Sequence, residues 1–318
     1  LDATKWMIEH LLYPAMELKS GNHIRAYTRE LLENEKKSRD ELLAIQRQKL
    51  QALLLHCVRN VPAYQSLGLS ESSIEQDPMA ALRRFPILDK AHFTAHSDSY
   101  ISRTADKSAL ISNISGGSTG TATRFYMDRP TVEHYEAARW RGLSWYGVTY
   151  GSRSVMLWGN PIEMSRDDQE KYFKREKRLK NRVLIPAYNL SPQKMPEYLA
   201  MIEAYKPEYF YGYSSSLTAF SEMMMDLGHT FSFPLKAVVS TAETLFPHQR
   251  EVIERGFGCP VVNEYGARDG GILGYQCPEG GGMHIPIENT VLEAFDPITR
   301  APCPPGVAGA AAVTDLNN

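Results

Sequence analysis

The sequence predicts an α/β fold with a parallel sheet at its centre. The strongest indication lies between residues 191 and 269, where short β-like runs alternate with helix-like runs across short links. Such alternation implies right-handed crossovers between parallel strands. The second indication is punctuation. Pro and Gly stand at the ends of the helix candidates, where a missing N–H or a left-handed residue is tolerated. The third is bulk: 318 residues, 43% hydrophobic and 23% charged, suffice for one large α/β domain or two smaller ones with a sizeable core.

The elements follow in order. Residues 1–60 read as an N-terminal helical segment and 61–318 as a multilayer, parallel-sheet large domain. Ser38-Arg39-Asp40-Glu41 is a capping-box pattern, and Leu43, Leu50, Leu54 and Val58 recur at helical spacing until Pro62 ends the run. Residues 66–108 are mixed, with turn signals at Asp77-Pro78 and Phe85-Pro86. Residues 131–146 form an aromatic-rich helix candidate. Residues 166–182 are rich in Lys and Arg but interrupted by Asp167, Asp168, Glu170 and Glu176. That mixture reads as a solvated helix face rather than a basic patch for an anionic partner. Ser191-Pro192 opens a helix that Lys206-Pro207 stops, and Tyr209-Phe210-Tyr211 is a strand. Then come a helix over 217–227 closed by Gly228, a strand over 235–239, a helix over 247–255 closed by Gly256, and a strand over 260–262.

Composition narrows the partners. A formal net charge of −2 gives no whole-molecule attraction to nucleic acid or an anionic membrane. The longest apolar runs fall far short of the ~20 residues that cross a bilayer. Residues 1–20 include Glu9, Pro14 and Glu17 and lack a signal-peptide pattern. Cys57, Cys259, Cys277 and Cys303 are widely spaced without a C-x-x-C pair, which points to a reducing, cytoplasmic setting rather than a disulfide framework.

Residues 115–124 read Ser-Gly-Gly-Ser-Thr-Gly-Thr-Ala-Thr-Arg, between an apolar run (Ala109, Leu110, Ile111, Ile114) and a β-like one (Phe125, Tyr126, Met127). Glycines leave backbone N–H groups unshielded and hydroxyls add donors, a combination suited to polyphosphate oxygens. No lysine follows the last glycine, so this is not a P-loop. A flexible surface turn is the other reading of the composition. In an open parallel sheet, ligands sit beyond the carboxyl ends of the strands. Three expected loops leave those ends: 212–216 (Gly-Tyr-Ser-Ser-Ser), 240–244 (Ser-Thr-Ala-Glu-Thr) and 263–269 (Asn-Glu-Tyr-Gly-Ala-Arg-Asp). Separately, Cys277 and His284 flank Pro278-Glu279-Gly280-Gly281-Gly282, a turn that could bring thiolate and imidazole onto one Zn²⁺. Cys259, Cys303 and His248 are candidates for further ligands. A buried cysteine and a turn histidine is the other reading.

Placed together, these motifs resemble the AMP-forming, adenylate-forming ligase superfamily, and within it the phenylacetate–CoA ligase and CapK-like branch. Residues 115–123 resemble its Ser/Thr/Gly-rich phosphate loop, with Thr121 at the usual lysine and Ala122 at the usual proline. Thr241-Ala242-Glu243 resembles the adenine-pocket segment. Asn263-Glu264-Tyr265-Gly266-Ala267-Arg268-Asp269 resembles the Asn-x-Tyr-Gly-x-Thr-Glu motif, with Arg268 for threonine and Asp269 for glutamate. Gly212-Tyr213-Ser214-Ser215-Ser216-Leu217 resembles the branch's Gly-Tyr-x-Ser-Ser-Leu segment. The joint order and spacing is specific, and the likeness runs from about residue 38 onward. Val313-Thr314-Asp315-Leu316 resembles the strand shortly before the family's ribose-binding aspartate. The resemblance therefore implies an N-terminal large domain, with the C-terminal small domain and its catalytic lysine absent.

The implied reaction joins a carboxylic acid and ATP into an acyl-adenylate plus pyrophosphate, with CoA, an amine or a hydroxyl as final acceptor. Ser115, Gly116, Gly117, Ser118, Thr119, Gly120 and Thr121 would hold the β- and γ-phosphates, and Arg124 would add positive charge. Thr241, Ala242 and Glu243 would wall the adenine. In the motif formed by Asn263, Glu264, Tyr265, Gly266 and Ala267, Tyr265 would stack on the base and Asn263 would bond its exocyclic amine. Asp269 would bind Mg²⁺. Tyr213, Ser214 and Trp158 are expected at the acyl pocket, with Phe210, although core burial is the other reading of Trp158 and Phe210. Net charge and apolar-run length give no nucleic-acid partner and no membrane span; the resemblance leaves a homodimer open and implies impaired activity without the small domain. From a different class, a non-catalytic nucleotide-binding or scaffolding module also fits the departures at Thr121, Ala122 and Asp269.

Overall fold

Helices account for most of the chain's first hundred residues, and strands enter from residue 111 onward. The computed structural model describes residues 2–114, 123–159 and 166–318. α1 (Arg39–Asn60) opens on the expected capping box: Ser38 Oγ accepts the Glu41 N–H at 3.3 Å, and Glu41 Oε2 accepts the Ser38 N–H at 2.7 Å. Pro62 does end that helix, but it also begins a short one, Pro62–Gln65, because proline suits a first helical turn. β1 (Ile111–Ile114) and β2 (Arg124–Met127) pair antiparallel, with Ile114 opposite Arg124. The expected phosphate-loop residues 115–121 lie outside the described residues. α2 (Arg129–Ser144) starts and stops two residues earlier than the aromatic pattern suggests.

The alternating part then runs β3 (Ser154–Trp158), α3 (Arg166–Lys180), β4 (Arg182–Pro186), α4 (Met195–Tyr205), β5 (Tyr209–Tyr213), α5 (Ser214–Asp226), β6 (Ala237–Thr241), α6 (Pro247–Phe257), β7 (Val261–Ala267), β8 (Gly271–Gln276) and β9 (Met283–His284). These strands form a seven-stranded sheet in the order β4-β3-β5-β6-β7-β8-β9. The pairs β3/β4, β3/β5, β5/β6 and β6/β7 are parallel, as the alternation predicts, and β9 runs antiparallel to β8. β10 (Thr290–Phe295) and β11 (Ala310–Asp315) form a separate antiparallel ribbon. No helix among the described residues is long and apolar enough to cross a membrane.

Three expectations need correction. The helix expected from Ser191 begins at Met195 with Pro196 in its first turn, because the Ser191 carbonyl is used in a turn by the Lys194 and Met195 amides. Gly256 does not close α6, which runs to Phe257 and ends at Gly258 in the left-handed region. A Cβ on Gly256 would stand 2.8 Å from Ser221, so its absence lets α6 lie against α5. Two of the expected loops are not loops: residues 263–267 continue β7, and in 212–216 Gly212 and Tyr213 end β5 while Ser214–Ser216 open α5. In α3, Glu176 is buried beneath the charged surface, paired with Lys180 at 3.1 Å and Arg182 at 3.4 Å.

The chain divides into two units, one formed by Leu1–Asn22, Arg139–Gly266 and Gly274–His284, the other by His23–Ala138, Ala267–Leu273 and Ile285–Asn318. In the first, Phe210, Leu217, Phe220, Val238, Ile253 and Phe257 form one apolar core. β6 is buried along its whole length, as a central strand covered on both faces must be. In the second, Leu50 and Leu54 of α1 pack with Ile74, Leu82, Val291 and Leu316.

The second unit also contains an open pocket of about 450 Å³ whose lining mixes Tyr27, Lys49, Asp128 and His134 with apolar Leu53 and Leu316. His134 stacks on Tyr27 with ring centroids 3.9 Å apart. Burial, and after it the Lys49 charge, pushes the imidazole down from 6.5 to about 4, against the opposing pull of Asp128. The fold therefore favours neutral His134. Its contribution is present above pH 6.5 and is lost as pH falls from there to about 4, amounting to about 3 kcal/mol at most. We expect His134→Gln to lose less melting temperature than wild type between pH 7 and pH 4. Parallel losses in the two proteins would assign the acid sensitivity elsewhere.

Candidate functional site

In the first unit, the carboxyl ends of β3, β5, β6 and β7 carry the predicted adenine and acyl residues. Parallel register sets Leu157 beside Gly212, and a Cβ on Gly212 would come within 2.8 Å of the Leu157 carbonyl. One residue further, Trp158 and Tyr213 stack with centroids 4.4 Å apart and planes 18° from parallel. Both are only partly buried, so the pair forms an accessible flat apolar wall. Phe210, by contrast, is fully buried in the core.

Ser214 is also fully buried, and it acts on the protein itself. Its Oγ lies 2.6 Å from Ser240 Oγ, which ties the start of α5 to β6. Glu243 accepts the Ser215 N–H at 2.8 Å and so satisfies a free donor in the first turn of α5. Between them, Ala242 takes φ +64°, a left-handed conformation that a residue with a Cβ adopts at a cost of roughly 1–2 kcal/mol. The bend after β6 is thus held by the Ser214, Ser240 and Glu243 contacts.

β7 divides its motif by strand alternation. Tyr265 is 44% exposed and Asn263 partly exposed, whereas Glu264 points inward with 3% exposure. Glu264 Oε1 accepts from the Tyr211 phenol and from Thr241 Oγ1, the latter at 3.0 Å. Arg139 Nε lies 3.5 Å from Glu264 Oε2, and its guanidinium stands 5.6 Å from the Tyr211 ring centroid. Burial, and the Glu264 carboxylate beside it, raise the Tyr211 phenol well above its ordinary value. Glu264 and Thr241 therefore support the edge from behind, while Tyr265 and Asn263 present it. Arg139 and Tyr211 were missed by motif reading. Extending the strand period through residue 267 is the signal that turns Glu264 inward and calls for a buried partner.

In the second unit, the turn Arg268–Gly270 leaves Asp269 exposed. Tyr135 holds this turn: its phenol donates to Asp315 Oδ2 at 2.6 Å and approaches the Asp269 carbonyl oxygen at 3.3 Å. Burial raises the Asp315 carboxyl to about 6, despite the Tyr135 hydrogen bond. Arg268 Nη1 donates to the Ile114 carbonyl at 2.9 Å, and Arg124 Nη1 donates to Ser112 Oγ at 3.0 Å.

Cys277 and His284 share the β8–β9 hairpin, where the His284 ring packs edge-on against Trp145 at 5.2 Å. Among the described residues, no group of three or more His, Cys, Asp and Glu side chains is placed to hold a metal ion. Cys259 is buried, and burial pushes its thiol up to about 12. His248 stacks on Phe246.

No protein-family model matches the chain. Its fold aligns with that of 2-hydroxyisobutyryl-CoA ligase in the postadenylation state in complex with 2-HIB-AMP, at TM-score 0.67 and 18% identity, covering 89% of this chain and 61% of the ligase. The open conformation of that ligase, in complex with 2-HIB-AMP and CoA, aligns at TM-score 0.64 and 18% identity, over 86% of this chain and 65% of the other. The fold is that of the large domain of an adenylate-forming ligase. In sequence, the chain is similar to Protein CapK of Staphylococcus aureus, 26% identical over 247 residues, which is 77% of this chain and 54% of CapK. The motif resemblance to the AMP-forming superfamily, on its CapK-like side, is borne out. The chain spans about half the length of CapK and 61–65% of the ligase chains.

Proposed function

We propose that this chain binds ATP and a carboxylic acid and forms an acyl-adenylate, for transfer to CoA or another acceptor. The observation that carries the reading is the division of β7: Glu264 is locked inward, which leaves Tyr265 and Asn263 presented at the carboxyl edge of the parallel sheet. An exposed aromatic face beside a carboxamide suits a nucleobase, which offers a flat ring and an exocyclic amine. The Trp158–Tyr213 wall suits the apolar body of an acid. The Asp269 carboxylate, exposed in its turn, is a hard oxygen donor of the kind Mg²⁺ takes, and that ion usually completes its shell with phosphate oxygens and water. Bound Mg²⁺ would neutralise phosphate charge. Carboxylate attack on the α-phosphorus then asks the protein chiefly to position reactants.

ATP titrations with Mg²⁺ and with chelator test this reading. Asp269→Asn is expected to weaken Mg·ATP binding about tenfold or more, while metal-free ATP changes little, because the lost charge acts through the cation. Acid-dependent exchange of pyrophosphate into ATP reports the chemical step. Equal small losses with and without Mg²⁺ remove Asp269 from the site, and wild-type protein that binds no ATP overturns the function.

A further inference from the structure

Two guanidinium groups bond one short stretch of chain, Ser112–Ile114, in the second unit. Arg268 Nη1 donates to the Ile114 carbonyl at 2.9 Å and reaches Asn113 Oδ1 at 3.5 Å. Arg124, which sits opposite Ile114 in the hairpin register, donates its Nη1 to Ser112 Oγ at 3.0 Å. Both arginines are exposed, and both are tethered to Ser112–Ile114 through a single nitrogen. Among the described residues, neither guanidinium has a carboxylate within ion-pair distance, unlike Lys5, Arg153, Arg182 and Arg300. Each guanidinium thus keeps fork donors free while its position is fixed by a neutral oxygen.

Two like charges tethered to the same three-residue segment, Ser112–Ile114, repel each other, and a polyanion bound by both relieves that repulsion. Phosphate oxygens match the planar fork bidentately, and a polyphosphate can engage two such forks at once. The sequence of the adjoining segment sharpens the point, since 115–123 contains no lysine or arginine of its own. We propose that Arg268 is a phosphate-binding residue that acts with Arg124 on the β- and γ-phosphates of the nucleotide, and that the Ile114 carbonyl sets its orientation. The positive charge for the polyphosphate comes from the β7–β8 turn and β2, not from the glycine-rich segment. This assignment rests on the ATP reading above.

Calorimetric titration of the full chain with inorganic pyrophosphate, ATP and AMP, each at low and high salt, tests it. Arg268→Gln and Arg124→Gln should each weaken pyrophosphate and ATP about tenfold and flatten the salt dependence, while AMP binding stays within about twofold. Arg268→Lys should restore the salt dependence but only part of the affinity, because an ammonium lacks the planar fork. Arg84→Gln, at an exposed arginine of the same unit, should behave as wild type. Pyrophosphate binding by Arg268→Gln equal to wild type, or an equal loss for AMP, overturns the assignment and leaves the ATP reading standing. Wild-type protein that binds neither ATP nor pyrophosphate overturns both.

Discussion

Replacing Arg139 by methionine is expected to destabilise the protein by about 3–5 kcal/mol, the loss that follows when one partner of a buried ion pair is removed. Glu264 is 3% exposed, and its Oε2 has the Arg139 guanidinium at 3.5 Å. The Tyr211 phenol and the Thr241 hydroxyl both bond the other oxygen. Methionine keeps much of the arginine stem's packing but leaves that carboxylate uncompensated. Glu264→Gln should cost less. A neutral amide oxygen still accepts from Tyr211 and Thr241, and the partly exposed Arg139 can take up water. The double variant Arg139→Met with Glu264→Gln should therefore recover part of the loss, a non-additivity expected of groups in direct contact. Urea unfolding of the four proteins at pH 7 measures it. A double variant as unstable as the sum of the singles would show that the two residues do not act as a pair.

Where backbone chemistry is local, the sequence was legible. Tyr209-Phe210-Tyr211 gave β5, the capping box at Ser38 gave the start of α1, and Gly228 marked the end of α5. The parallel pairing of β5, β6 and β7 followed from the alternation alone. Positions decided by packing were not legible. Gly256 carries the same local signal as Gly258, and only the approach of Ser221 tells them apart. β3 is a short buried strand whose apolar run could equally belong to a helix segment. At the site, the motif marked Asn263, Tyr265 and Asp269, all of which stand partly or wholly exposed. It did not mark Arg139, Tyr211 or Tyr135. These residues act from α2 and β5 on a motif many residues away, so their roles depend on contacts formed only after the sheet assembles.

Gly271→Ala is expected to lower stability by about 2–5 kcal/mol and to weaken Mg·ATP binding together with it. Gly271 takes φ +70°, where a Cβ costs roughly 1–2 kcal/mol. The added methyl would also overlap the Tyr135 ring, an overpacking that typically costs about 1–3 kcal/mol more. The ring is not free to move aside, because its phenol is committed to Asp315 Oδ2 at 2.6 Å and lies 3.3 Å from the Asp269 carbonyl. Relief must therefore come from the backbone of the turn, and Asp269 and Gly270 immediately precede Gly271. A shift there moves the carboxylate assigned to Mg²⁺. Tyr135→Ala separates the two contributions. In that background the overlap is gone and only the dihedral penalty remains, so Gly271→Ala should then cost about 1–2 kcal/mol. Tyr135→Phe keeps the ring but drops the phenol, so it should leave the full Gly271→Ala penalty in place only if sterics dominate, and a reduced one if the hydrogen bond is what pins the ring. Equal losses from Gly271→Ala in wild type and in the Tyr135→Ala background would take the ring out of the account and leave the turn's conformation to its φ angle alone.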